Sequence, residues 1–386
     1  MNESHRSLGR RCIAAAAALI CLGGAAASAG VSQSGSASQG APTLAPQASG
    51  TVNRLQAVSP VNENVVWASG LKGTYVVTTD GGHSWRAGVV PGAEALQFRD
   101  VQGVSDKIAY LLAAGSGTNS RIYQTEDGGA TWKLQFQAPD DPNYFYDCFA
   151  FWTPTRGITM ADGINSIGRF PAIGTTDGST WKHVDLPAAQ KDEGAFAASG
   201  TCVATQGEER AWVVTTNSRL FATRDGGDTW AAYLTPIAGG TGTAGVFTVA
   251  FRDGRHGIIG GGDFVSAATL DNVARSSDGG KTWLLTAKAP VPGAVFGLAY
   301  AQRSGGEDGE GDDEDRGEGD SRHKNVVVTG PGGAAWTPDE GDTWSSLAGV
   351  TGYWAVAFAN QRDGWLVGTK GRILKITFAP VLPTDD

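Results

Sequence analysis

Short apolar runs recur along this chain, each stopped by a polar or glycine-bearing bend. In the first clear copy they fall at residues 55–58, 65–68, 75–78 and 85–89, which reads as four short strands in one unit. The third run ends in "TTDGGHSW" from Thr78, and the fourth begins at its tryptophan. The same polar turn returns as "TEDGGATW" at 125, "TRDGGDTW" at 223, "SSDGGKTW" at 276 and "TPDEGDTW" at 337, with a shortened "TTDGSTW" at 175. Successive turn aspartates are 47 to 61 residues apart, and the longest interval holds a foreign acidic segment. Several short strands repeated at such a period predict a propeller.

The starts of the first strands show the register again: "FRDV" at 98, "FYDC" at 145, "SGTC" at 199, "VFTV" at 246, "VFGL" at 295 and "YWAV" at 353. With the copy at 55 there are seven starts, against six polar turns. The last unit, residues 353–378, supplies only three strands, and a ring cannot leave an open edge. An outer strand from the N-terminal side, within residues 46–54, should complete it. The expected fold is therefore all-β: a seven-bladed propeller of four-stranded antiparallel blades over residues 46–380.

The polar turn has a structural logic. Its aspartate and the Ser or Thr before the tryptophan accept backbone N–H bonds across the bend, and its glycines allow positive φ. The tryptophan packs its ring between blades. This assigns structural roles to Asp80 and Trp85, Asp127 and Trp132, Asp177 and Trp181, Asp225 and Trp230, Asp278 and Trp283, and Asp339 and Trp344. An aspartate repeated around a ring cannot be one catalytic site.

The turn resembles the Asp-box (BNR) repeat, S/T-x-D-x-G-x-T-W, in which the box is structural and lies on the rim away from the active face. Residues 353–373, "YWAVAFANQRDGWLVGTKGRI", add a second likeness. With the turns, they resemble the photosystem II stability/assembly factor family of seven-bladed propellers, in its bacterial BNR/YVTN-like branch. The resemblance covers about residues 52–378. It implies an exported scaffold that binds protein partners and needs no cofactor. That family binds through an arginine patch, which has no clear counterpart in this sequence.

Composition agrees with this reading. There are 56 glycines in 386 residues, roughly twice the average usage, as many tight turns require. The net charge of −9 excludes a nucleic-acid footprint. Arg6, Arg10 and Arg11 precede an apolar run and then Ala27-Ser28-Ala29, so residues 1–29 read as a cleaved signal peptide of Sec type, with twin-arginine export as the alternative. The mature protein is then periplasmic or secreted, with no transmembrane segment and as a monomer. Residues 30–45 read as a flexible Ser/Gly/Pro-rich leader. Residues 304–324 carry nine acidic and three basic side chains and read as a disordered insertion in blade six. An EF-hand loop there would need Gly where Asp313 stands and Glu where Gly319 stands, so no metal is expected. Cys148 and Cys202 fall at matching places in consecutive repeats, where a disulfide and two buried thiols are equally open.

In a propeller of this plan the first strands start at the face opposite the polar turns, near the central channel. Polar residues mapped there are Arg99, Asp100, Tyr146, Asp147, Ser199 and Thr201. Asp162 and Asp263 come from loops after the second strands, and Glu193 lies just upstream of blade four. Such a funnel could bind a peptide, a sugar or a cation, or its groups could simply cap strand ends. Enzyme signals are thin. "RFP" at Arg169–Pro171 is the nearest string to a sialidase signature and lies in blade three, and the five histidines do not cluster. The expected function is protein or peptide binding at the channel mouth, with a glycan-binding or glycan-cleaving propeller as the alternative. No cofactor is expected.

Overall fold

The computed structural model describes residues 40–162, 168–268, 271–302 and 324–380. Among them, 28 strands form seven four-stranded antiparallel sheets. The first strand of each blade packs against the first strand of the next, all the way round from Leu55–Pro60 to Tyr353–Phe358 and back. This is the expected seven-bladed ring. The signal-peptide residues and nearly all of the acidic segment lie outside the described residues. The strands flanking that segment, Gly297–Tyr300 and Val326–Gly330, pair directly, as the first and second strands of blade six should.

The last blade is closed by Thr43–Ala48, which pairs antiparallel with Arg372–Thr377. The closing strand thus begins three residues inside the segment read as leader. Its six residues match the length of its partner, and Leu44 packs onto the blade's apolar cluster. Pro46 sits where an edge strand tolerates a missing N–H. Gln47 does the joining. Its Oε1 accepts from the indole N–H of Trp85 in blade one and of Trp365 in blade seven, at 3.1 Å each. Its amide donates to the carbonyl of Gly81 at 3.3 Å. Gly82 beside it has φ +87°, and a Cβ there would lie 2.1 Å from Gln47 Oε1. The polar turn of blade one is therefore built to receive the chain's other end.

The core differs from expectation in one respect. The fully buried tryptophans are Trp67, Trp212 and Trp365, all on second strands. Trp67 and Trp212 donate their indole N–H to the next blade, at Ser105 O (2.8 Å) and Gly279 O (3.1 Å). Of the six turn tryptophans only Trp283 is buried, and the others are half-buried. They still span blades: the ring of Trp132 lies 5.1 Å from that of Tyr75 and 6.3 Å from that of Trp67. They act as lids on the core rather than its centre. Cys148 and Cys202 form a disulfide between the first strand of blade three and the start of blade four, with their Cα atoms 5.8 Å apart.

Candidate functional site

In five blades the first strand slips by one residue as it enters the sheet. The register shifts fall at Leu55/Ala57, Phe98/Asp100, Tyr146/Cys148, Val246/Thr248 and Tyr353/Ala355. A bulge leaves its extra residue unpaired and re-aims the side chain. The extra residues are Gln56, Arg99, Asp147, Phe247 and Trp354. In blade six Phe296 stands just ahead of the strand, stacks with Phe247 and meets Trp354 edge-on, so it holds the same place. In blade four the same place falls on Gly200, flanked by Ser199 and Thr201, whose hydroxyls bond each other at 2.6 Å. One position, carrying a side chain in six of the seven blades, lines the channel mouth.

The ring divides into two arcs. Along blades five to seven it is aromatic. Phe196 and Phe247 stack at 3.9 Å, Phe247 and Phe296 at 5.3 Å, and Phe296 meets Trp354 at 5.0 Å. Phe264, 47% exposed, lies edge-on to Phe196 and Phe247 and carries this wall to the surface. The Arg54 guanidinium sits 4.3 Å over Trp354 and ends the arc.

Along blades two and three the ring is charged. Arg99 donates to Gln97 Oε1 at 2.8 Å and to the Ala197 carbonyl at 3.3 Å. Burial pulls its pKa down, while Asp147 and Asp162 oppose this. Asp147 is 1% exposed, and neither of its carboxyl oxygens has a hydrogen-bond partner. The amides of Asp162 and Ala197 lower its pKa slightly without closing a bond to it. Burial first, and the charge of Asp162 second, push the Asp147 carboxyl well above the usual carboxylate range. Burial also raises Asp162 to about 6, against the pull of the Ala195 N–H and Arg99. Two carboxyls and a cation thus share one corner, with no close ion pair among them.

The other residues expected in the funnel are placed differently. Asp100 is a strand-end cap: its oxygens accept from Val101 N at 2.7 Å and Phe149 N at 2.8 Å. Tyr146 points away from the mouth into an apolar cluster, with its ring 5.4 Å from that of Phe136. The bulge explains this, because the slip puts the third letter of "FYDC" at the mouth and not the second. Glu193 is consumed by a buried ion pair with Arg219 and by bonds from Thr215 Oγ1 and Gln190 N. Ser199 donates to Phe296 O at 2.6 Å and Thr201 bonds Thr248 at 2.7 Å, which ties blades four, five and six together. Asp162 and Asp263 are the last residues of second strands rather than loop residues. Asp263 only caps its own turn, accepting from Val265 N at 3.1 Å.

Sequence reasoning missed Arg54 and the whole aromatic arc. The signal was present: Phe247, Phe296 and Trp354 are the second letters of "VFTV", "VFGL" and "YWAV", in register with Arg99 in "FRDV". They were passed over because they are apolar.

No family model matches the chain, and no curated protein matches it in sequence. Solved structures do resemble it. The structure titled YCF48 bound to D1 peptide is 14% identical with a TM-score of 0.60, over 88% of this chain and 97% of that one. YCF48 from Cyanidioschyzon merolae is 15% identical with a TM-score of 0.58, over 86% and 98%. The GH74 xyloglucanase from Xanthomonas campestris is 14% identical with a TM-score of 0.54, over 86% of this chain and 53% of that one. This chain spans about half the length of that xyloglucanase. At these identities the likeness is one of fold.

Proposed function

We propose that this protein is an exported propeller that binds a protein or peptide partner through the channel-mouth face. One observation carries the reading. A position that repeats around the ring holds aromatic side chains along one arc and charged ones along another, forming an aromatic wall opposite a charged corner with unsatisfied polar atoms. A position kept only for strand geometry would not need that asymmetry. Support comes from the similar fold of YCF48, one structure of which is titled as bound to D1 peptide. Export rests on the basic n-region, apolar run and Ala27-Ser28-Ala29.

The test is site-specific photo-crosslinking in the native host, with the reactive residue at Phe264 on the mouth or at Lys133 near a polar turn. A discrete protein adduct from Phe264 and none from Lys133 is the expected result, on a product whose N-terminus begins at Gly30. Adducts from Lys133 alone would overturn the mouth assignment, and an uncleaved cytoplasmic product would overturn export.

A glycan reading has one observation in its favour, since aromatic faces also stack on sugar rings and a xyloglucanase shares the fold. Hydrolysis fits less well. Asp147 and Asp162 lie on one hairpin, whereas glycosidase carboxyls flank the bond they cleave. Quenching of tryptophan fluorescence by xyloglucan oligosaccharides, lost in Trp354→Ala, would favour it.

A further inference from the structure

Unsatisfied buried polar atoms are costly and uncommon in folded proteins, and at this mouth they are sorted by type. The acceptors, both carboxyl oxygens of Asp147, lie in blade three. The donors, Trp354 Nε1 and Arg54 Nε, lie on the far side where blade seven meets blade one. The apolar wall of Phe247, Phe296 and Trp354 runs along the arc ending at those donors. Arg99 is the cation beside the acidic corner, and three of its five N–H groups go to Gln97 and the Ala197 carbonyl. Its charge acts on Asp147 and Asp162, and the Arg54 guanidinium acts on it from the neighbouring blade.

We propose that the mouth selects a peptide segment carrying a cationic group beside an aromatic or bulky apolar side chain, with the cation directed at Asp162 and Asp147 and the apolar side chain at the Phe247–Phe296–Trp354 wall. This rests on the peptide-binding reading above and gives the partner its chemistry. Asp162 is half-exposed and meets the cation first. Asp147 lies behind it, with two carboxyl oxygens that have no partner of their own and can accept from the cation's N–H groups. The peptide backbone runs between the two arcs, over the half-buried Trp354 ring. Phe264, reaching solvent at the end of the wall, provides the first apolar contact.

Isothermal titration calorimetry of the purified protein tests this with three N-acetylated, C-amidated peptides: Gly-Lys-Phe-Leu-Gly, Gly-Glu-Phe-Leu-Gly and Gly-Lys-Ser-Ser-Gly. At about pH 7 the first should bind at least ~10-fold more tightly than either of the others. Asp162→Asn should bring the Lys-Phe and Glu-Phe peptides to within about threefold of each other. Acidification to about pH 5 should weaken the Lys-Phe peptide in the wild type and not in Asp162→Asn. Thermal unfolding establishes that each variant is folded. Equal or tighter binding of the Glu-Phe peptide overturns the cationic assignment. It leaves the mouth as a peptide site if Trp354→Ala abolishes that binding. Failure of all three peptides, or binding unaffected by both Phe247→Ala and Trp354→Ala, overturns the cationic assignment and the mouth reading together.

Discussion

The two ends of this propeller treat aspartate in opposite ways. In the polar turns the carboxylate is closed within its own loop. Asp80 accepts from Thr78 Oγ1 at 2.7 Å, Ser84 N at 2.9 Å and Ser84 Oγ. The arrangement recurs at Asp127, Asp225, Asp278 and Asp339, and these bonds hold the carboxyls low, to about 2 for Asp127 and Asp225. At the mouth Asp147 has no bond and is pushed up. A satisfied side chain repeated around a ring is architecture. A repeated backbone position whose side chains change from aromatic to charged around the ring, some of them unsatisfied, is where selectivity can reside.

The largest effects should come from the core that supports both ends. Trp67→Ala, at 0% exposure, should cost about 3–5 kcal/mol in urea unfolding. Trp132→Ala, half-buried over the same cluster, should cost clearly less. Equal losses would show that the turn tryptophans, and not the second-strand ones, are the centre of the core.

The mouth should reveal itself by a pH dependence of unusual sign. An aspartate raised in the fold destabilises the native state as it ionises. The unfolded chain releases its proton near the ordinary 3.8, while folded Asp162 holds it to about 6. Stability from this group is therefore lost as pH rises between those values, by about 3 kcal/mol in order of magnitude. Asp162→Asn should flatten that fall and be the more stable protein at neutral pH. A variant less stable than wild type at pH 7 would mean that Asp162 is a structural cap like Asp100.

Ring closure should come next in size. Gln47→Ala leaves the indole N–H groups of Trp85 and Trp365 without their acceptor, at a cost of about 1–2 kcal/mol. Early proteolysis near residue 48 should accompany it, and a strand that stays protected would show that pairing with Arg372–Thr377 alone closes the ring.

These contrasts explain how far the sequence could be read. The blades were legible because a period of strands and a turn spelled in nearly the same letters recur, and backbone pairing follows from that pattern. The mouth was legible only in part. Arg99, Asp147 and Asp162 stood out by charge, but Glu193 stood out equally, and its partner Arg219 lies 26 residues away, so sequence alone could not show it was paired. The one-residue bulge decides which letter of each start faces the channel, and it comes from how strands meet at the ring centre rather than from local composition. Tyr146 was misplaced for that reason.

The smallest effect should belong to the most repeated residue. Asp127 is fully exposed, and its folded pKa of about 2 lies below its ordinary value. Its stabilising contribution is therefore present above the unfolded pKa and lost as pH falls through about 2. Asp127→Asn gives up that contribution at neutral pH, because the amide would turn a donor toward Thr131 Oγ1 where the carboxylate accepts at 2.6 Å. Calorimetry should show a Tm below wild type at pH 7, by less than for Trp67→Ala, with the two proteins converging in strong acid. Binding of the Gly-Lys-Phe-Leu-Gly peptide should be unchanged, since the turn lies on the opposite face. Weaker binding at an unchanged Tm would mean that the polar turns meet the partner, and the contrast between the two ends of the ring would fail.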